Sequence, residues 1–141
     1  MSLEISIIVP DRIFWRDNAK EIILPTLTGQ MGVLKGHIPL LTGLDTGLVL
    51  IRKEIGGNWI GVVVTGGFAL VNNDKITILV NEAELGSDIK QDEAEAAFLS
   101  LKSELEIVSD EKKKIEISSQ FKKARVRLVW LISSNKNKIR K

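Results

Sequence analysis

The chain has 141 residues but no cysteine, no tyrosine, one histidine and three prolines. Without cysteine there are no disulfides and no thiolate metal sites, and a lone imidazole lacks the partners that a histidine metal centre or a catalytic triad requires. No apolar run approaches the roughly 18–20 residues of a membrane-spanning helix, so membrane association is expected only through partners. Met1-Ser2-Leu3-Glu4 leads straight into an alternating segment, with neither a basic and apolar signal nor an Arg/Ser-rich transit pattern, which sets the expectation of a chain made where it works. No pair of titratable residues has the spacing of an acid/base or nucleophile constellation, so catalysis ranks last among the function classes.

What is present fits a globular chain with one real core: 44% hydrophobic and 27% charged residues. The net charge of +2 is unevenly spread. Residues 1–87 hold 7 basic against 9 acidic side chains, residues 88–108 hold 2 against 6, and residues 109–141 hold 11 against 3. A tail so basic points to an anionic partner or a solvated arm.

Leu3, Ile5, Ile7 and Val9 alternate with Glu4, Ser6 and Ile8, the period of a strand with one buried face. Pro10-Asp11-Arg12 is read as a turn into Ile13-Phe14-Trp15, and Arg16-Asp17-Asn18 as a second turn before Ala19 to Leu24. Leu48–Arg52 and Trp59–Val64 flank Gly56-Gly57-Asn58, and Phe68–Val71 and Ile76–Val80 flank Asn72-Asn73-Asp74-Lys75, two hairpin signals. Between them Gly29, Gly32, Gly36, Gly43 and Gly47 read as tight β corners. Val33-Leu34 and Ile38-Pro39-Leu40-Leu41 are expected as core-facing strand pieces joined by Lys35-Gly36-His37, with Pro39 marking an edge. Many short strands at this spacing predict a sandwich or flattened barrel.

Past Leu85-Gly86-Ser87 the period changes to that of helices. Asp88 with Gln91 suggests a capping box, and Ala94, Ala97, Phe98, Leu101, Leu105 and Val108 form one apolar stripe. Ser109-Asp110 interrupts and caps a second helix, along which Ile117, Phe121, Ala124, Leu128 and Leu131 make a four-three-four-three seam. The expected architecture is mainly β plus α: an antiparallel β-sandwich over residues 1–86, an antiparallel two-helix hairpin over 87–134, and a basic frayed tail over 135–141. His37 is read as a turn residue bonded to local backbone. Gly29-x-x-Gly32 and Gly66-Gly67 are read as turn glycines, because neither precedes a helix with the residues of a phosphate loop. Trp15 and Trp59 are assigned to the core or a sheet face, and Trp130 to the apolar side of the second helix.

The run Gly29-x-x-Gly32-Val33-Leu34-x-x-His37-x-Pro39-Leu40-x-Thr42-x-Leu44-x-x-Gly47-Leu48 resembles the signature region of the ε-subunit family of F-type ATP synthases. Thr65-Gly66-Gly67-Phe68-Ala69 and Ile76–Glu84 resemble the family's second marker. The resemblance implies a non-catalytic central-stalk subunit without cofactor or metal, joined to γ and to the c-ring. It implies a c-ring docking loop at Thr28, Gly29, Gln30 and Met31, and a signature turn at Gly32, Lys35, Gly36, His37 and Pro39. It further implies that the helices reach the α/β hexamer and suppress ATP hydrolysis, through a basic face at Lys122, Lys123, Arg125 and Arg127. That behaviour requires marginal docking of the hairpin, which small side chains such as Ala94 and Ala97 would give.

Where ATP-binding relatives carry Asp and Arg at the start of the first helix, this chain has Lys90 and Glu93, so no tight ATP binding is expected. Likeness is greatest to plastid and cyanobacterial members, implying the stromal side of the thylakoid membrane or its bacterial equivalent. The contrasting reading is a β-sandwich adaptor whose basic tail holds a polyanion such as nucleic acid. Against it, the basic residues lack interleaved aromatics and a groove-reading motif.

Overall fold

Leu3, Ile5, Ile7 and Val9 all turn inward along β1 (Leu3–Val9), buried and half-buried positions alternating without exception. This is the outcome their period of two dictates when one face of a sheet is covered. The computed structural model describes residues 2–139, which fall into two compact units divided between Leu85 and Gly86.

The first unit continues with β2 (Arg12–Ala19), β3 (Glu21–Thr26), β4 (Gly29–Leu34), β5 (Leu40–Leu44), β6 (Gly47–Arg52), β7 (Trp59–Asn72) and β8 (Lys75–Leu85). The two long strands serve both layers of a sandwich. Residues 67–72 of β7 and 75–80 of β8 lie between β5 and β1, giving the layer β5-β7-β8-β1-β2. Residues 62–64 of β7 pair with 83–85 of β8, and the first half of β7 joins β6, then β3, then β4. Every pairing is antiparallel except that of β1 with β8. Ile5, Ile7, Val71, Ile76 and Ile78 from one layer meet Ile22, Leu24, Val33, Val49, Ile51 and Val62 from the other in a single apolar core. Burying each of these side chains contributes about 1.5–3 kcal/mol.

Gly66 and Gly67 are not in a turn. They sit inside β7, where that strand passes from one layer to the other, and a Cβ on Gly67 would lie 1.9 Å from the Leu79 carbonyl oxygen. Only glycine lets the two backbones approach so closely.

Other expectations also need correction. Arg16-Asp17-Asn18 is not a turn but part of β2, paired with Ser6, Ile5 and Glu4. A strand at a sheet edge with solvent on one side tolerates such a polar run, and charges there discourage stray pairing. Lys53 Nζ lies 2.7 Å from Asp17, and this bond holds the Asp17 carboxyl below its ordinary pKa and raises that of Lys53. Of the five glycines of the signature stretch, only Gly29 and Gly36 have positive φ. Gly32 and Gly43 lie within strands and Gly47 opens β6. Leu34, Ile38 and Leu41 are exposed rather than core-facing, leaving Val33 as the buried residue of those pieces, and Pro39 lies just outside β5.

In the second unit a short 3₁₀ turn (Gly86–Asp88) precedes α1 (Gln91–Ile107) and α2 (Glu111–Ile139). The capping box does not form. Asp88 belongs to the 3₁₀ turn, and Lys90 occupies the N-cap position with no side-chain bond to the helix. Asp110 does cap α2, its carboxylate accepting from the Lys112 amide at 3.1 Å. Both apolar stripes are at least half-buried, and Phe98 stacks on Phe121 with ring centroids 4.9 Å apart. The helix α2 runs past Ser134 to Ile139, through most of the segment expected as a frayed tail; residues 140–141 lie outside the described residues.

Candidate interaction surfaces

Strand alternation puts Ala69, Val71, Ile76 and Ile78 into the core and so forces their neighbours outward. Asn72, Lys75 and Thr77 among them are polar, but Phe68, Leu70 and Leu79 are not. Phe68 is 59% exposed, Leu79 50% and Ile13 52%, and the register places Phe68 beside Leu79, Leu79 beside Ile8, and Ile8 beside Ile13. One row further along, Leu41 pairs with Leu70, both exposed. The outer face of the layer β5-β7-β8-β1-β2 therefore carries six apolar side chains in contiguous rows across five strands. Beside them lies a depression of about 560 Å³ lined by Ile8, Val9, Pro10, Gly66, Phe68 and Asn81, among others. Scattered exposed leucines are ordinary, but a contiguous apolar face marks a surface that another molecule covers.

This face contains none of the site residues expected from sequence. The signal for it was present in the alternation of β7 and β8, but a period of two says that faces differ, not which face stays open.

The loop Thr28-Gly29-Gln30-Met31 is held at its root. Thr26, nearly buried, donates its hydroxyl to the Gly29 carbonyl and accepts from the Thr28 amide at 3.3 Å. The Leu27 amide donates to the Gly43 carbonyl at 3.4 Å, and the Leu27 side chain occupies the space that a Cβ on Gly43 would need. Leu27, Thr28, Gly29 and Gln30 consequently form an exposed, uncharged tip, while Met31 packs against the core. The signature turn is fixed separately. The Gly36 amide donates to Asp74 Oδ1 at 2.7 Å, tying this turn to the β7–β8 turn, where Asn73 and Asp74 have positive φ. His37 makes local bonds: Nδ1 lies 2.7 Å from the Ile38 carbonyl, and its amide donates to that of Leu34. Lys35 and Pro39 are exposed.

The basic residues of α2 do not share one face. At about 100° per residue, Arg125 and Arg127 flank the apolar seam on opposite sides, while Lys122 and Lys123 lie behind it. Arg125 is exposed, whereas Arg127 is only 12% exposed and pairs with Glu93 at 3.7 Å. Trp130 likewise leaves the seam; its indole packs on Gly86. Among the described residues no group of three or more His, Cys, Asp or Glu side chains is placed to hold a metal, and no helix is long and apolar enough to cross a membrane.

Comparison with known proteins fits this geometry. A family model described as the ATP synthase, Delta/Epsilon chain, beta-sandwich domain matches residues 2–86. Two chloroplastic ATP synthase epsilon chains are each 54% identical over 127 residues, 90% of this chain: that of Euglena gracilis, covered to 94%, and that of Chlorella vulgaris, covered to 93%. A chain from the Euglena gracilis mitochondrial ATP synthase, solved with OSCP, F1 and c-ring, shares the fold at a TM-score of 0.81 and 23% identity, with 92% of this chain and 81% of that one aligned. With a sandwich of the matching domain and likeness extending through most of both helices, the chain belongs to the family of ATP synthase epsilon chains.

Proposed function

We propose that the sandwich is a central-stalk foot whose open apolar face seats on γ, with the hairpin acting as a brake on ATP hydrolysis. The single observation that carries this reading is the outward-facing apolar row Phe68, Leu79, Ile8 and Ile13, exposed at every position but the half-buried Ile8. A rotor subunit must transmit torque without slipping, and an apolar, shape-fitted seat on a rigid two-layer sandwich serves that need better than exposed ion pairs, which salt screens. The subunit itself performs no chemistry; hydrolysis and synthesis belong to the β subunits of the hexamer. The uncharged tip at Leu27 to Gln30 suits a second contact, with the c-ring. By its relatives' names the site of work is the chloroplast, and membrane contact runs through partners on the stromal side.

The brake uses the basic side chains of α2 against an acidic surface of the hexamer. Replacing Lys122, Lys123, Arg125 and Arg127 together with alanine should relieve inhibition of hydrolysis by about tenfold, the order of a coupling free energy of 1–3 kcal/mol, while assembly is retained. Hydrolysis rates of the reconstituted F1 check this, and undiminished inhibition refutes it. A polyanion-binding adaptor has less support, since basic side chains dispersed around a helix make no groove for a phosphate backbone.

A further inference from the structure

We infer that Trp130 and Arg127 form a clamp on the hairpin's own root, and that this clamp must open before α2 can leave α1. The inference rests on the proposed brake for its consequence, but not for its geometry.

Trp130 lies off the seam that faces α1. Its indole covers Gly86 so closely that a Cβ there would sit 2.1 Å from Nε1 and 2.4 Å from Cε2. Gly86 is buried, and its amino-acid identity is thereby fixed by a residue 44 positions away. Three residues before Trp130, on the same flank of α2, Arg127 reaches Glu93 in the first turn of α1 at 3.7 Å. Residues three apart on a helix are neighbours, so the two contacts act together on one short stretch, residues 86–93. All four residues belong to the C-terminal unit.

The two contacts differ in kind. The indole on a bare Cα is a packing contact that salt does not screen, whereas the Arg127 pair is partly exposed on its Glu93 side and weaker. Closing the clamp also withdraws Arg127, one of the four basic side chains of the brake, since its side chain is only 12% exposed. Arg127 therefore has two alternative anionic partners: Glu93 when the hairpin is closed, and a surface of another subunit when it is not. Release of α2 exchanges one for the other, which makes the clamp an equilibrium control on the brake.

Amide hydrogen exchange on the full chain, comparing the parent with Trp130→Ala, Gly86→Ala and Glu93→Gln, tests this. Trp130→Ala should raise exchange at residues 86–93 and around Arg127–Trp130 by about tenfold or more, with β1–β8 unchanged. Gly86→Ala should do the same, and Glu93→Gln should give a smaller rise. Unchanged hairpin exchange in Trp130→Ala overturns the clamp, whatever Gly86→Ala does to folding. A rise spread equally over the sandwich also overturns it, since the contact would then be serving general stability. Inhibition of F1 by the same variants separates the two readings. Raised exchange with stronger inhibition supports both; raised exchange with unaltered inhibition leaves the clamp standing and removes the brake.

Discussion

Gly67→Ala is expected to destabilise the N-terminal unit by about 3 kcal/mol, at the upper end for overpacking a well-packed interior. The added methyl would meet the Leu79 carbonyl oxygen at 1.9 Å and the Val80 Cα at 2.9 Å, and both obstacles are backbone of a paired strand. No rotamer change relieves such a clash; β7 and β8 must separate where they carry both layers. Gly32→Ala is the control. A Cβ there meets nothing within 4 Å and its φ is not positive, so its effect should stay within about 0.5 kcal/mol. Urea unfolding followed by far-UV circular dichroism measures both, and equal midpoints for the two variants would contradict the crossing-point account of β7.

Phe68→Thr combined with Leu79→Thr should weaken binding to γ by at least about 100-fold, with little change in the stability of the free chain. Two large apolar side chains that become covered contribute about 1.5–3 kcal/mol each, and neighbouring side chains at the centre of an interface carry most of its binding energy. In the free chain both are half or more exposed, and threonine suits a strand, so the fold should tolerate the change. Titration calorimetry with purified γ reads the loss. Parent-like affinity with an intact sandwich would mean that γ sits elsewhere.

The parts of this molecule that could be read from the residues are those where neighbours in sequence decide the outcome. The alternation of β1 and the four-three-four-three seam of α2 each depend on one repeating period, and the structure buries the first stripe and at least half-buries the second. Asp110 as a cap was legible for the same reason. Where partners distant in sequence decide, local signals misled. Arg16-Asp17-Asn18 has the composition of a turn, yet pairing with β1 makes it strand, and the Asp17–Lys53 bond ties it to the bend that follows β6. Gly66-Gly67 has the appearance of a turn, but its role is to let one backbone pass another. Asp88 matched a capping box in spacing, while the helix begins three residues later.

The proposed sites divide in the same way. The exposed loop tip and the local bonds of His37 follow from short-range chemistry. The apolar face does not, because it needs four strands in register before Phe68, Leu79, Ile8 and Ile13 become one row. The helix's basic residues were countable in sequence, but their angular spread and the engagement of Arg127 with Glu93 emerge only once α1 and α2 are packed.

If this sandwich grips the shaft through an apolar seat, the salt dependence of its affinity for γ shows it most directly. Between about 50 and 500 mM salt the dissociation constant should change by no more than about threefold, because burial of apolar surface is not screened. A fall in affinity of about 100-fold or more over that range would mean that charges hold the two together, and absence of binding at every salt concentration would remove the seat altogether.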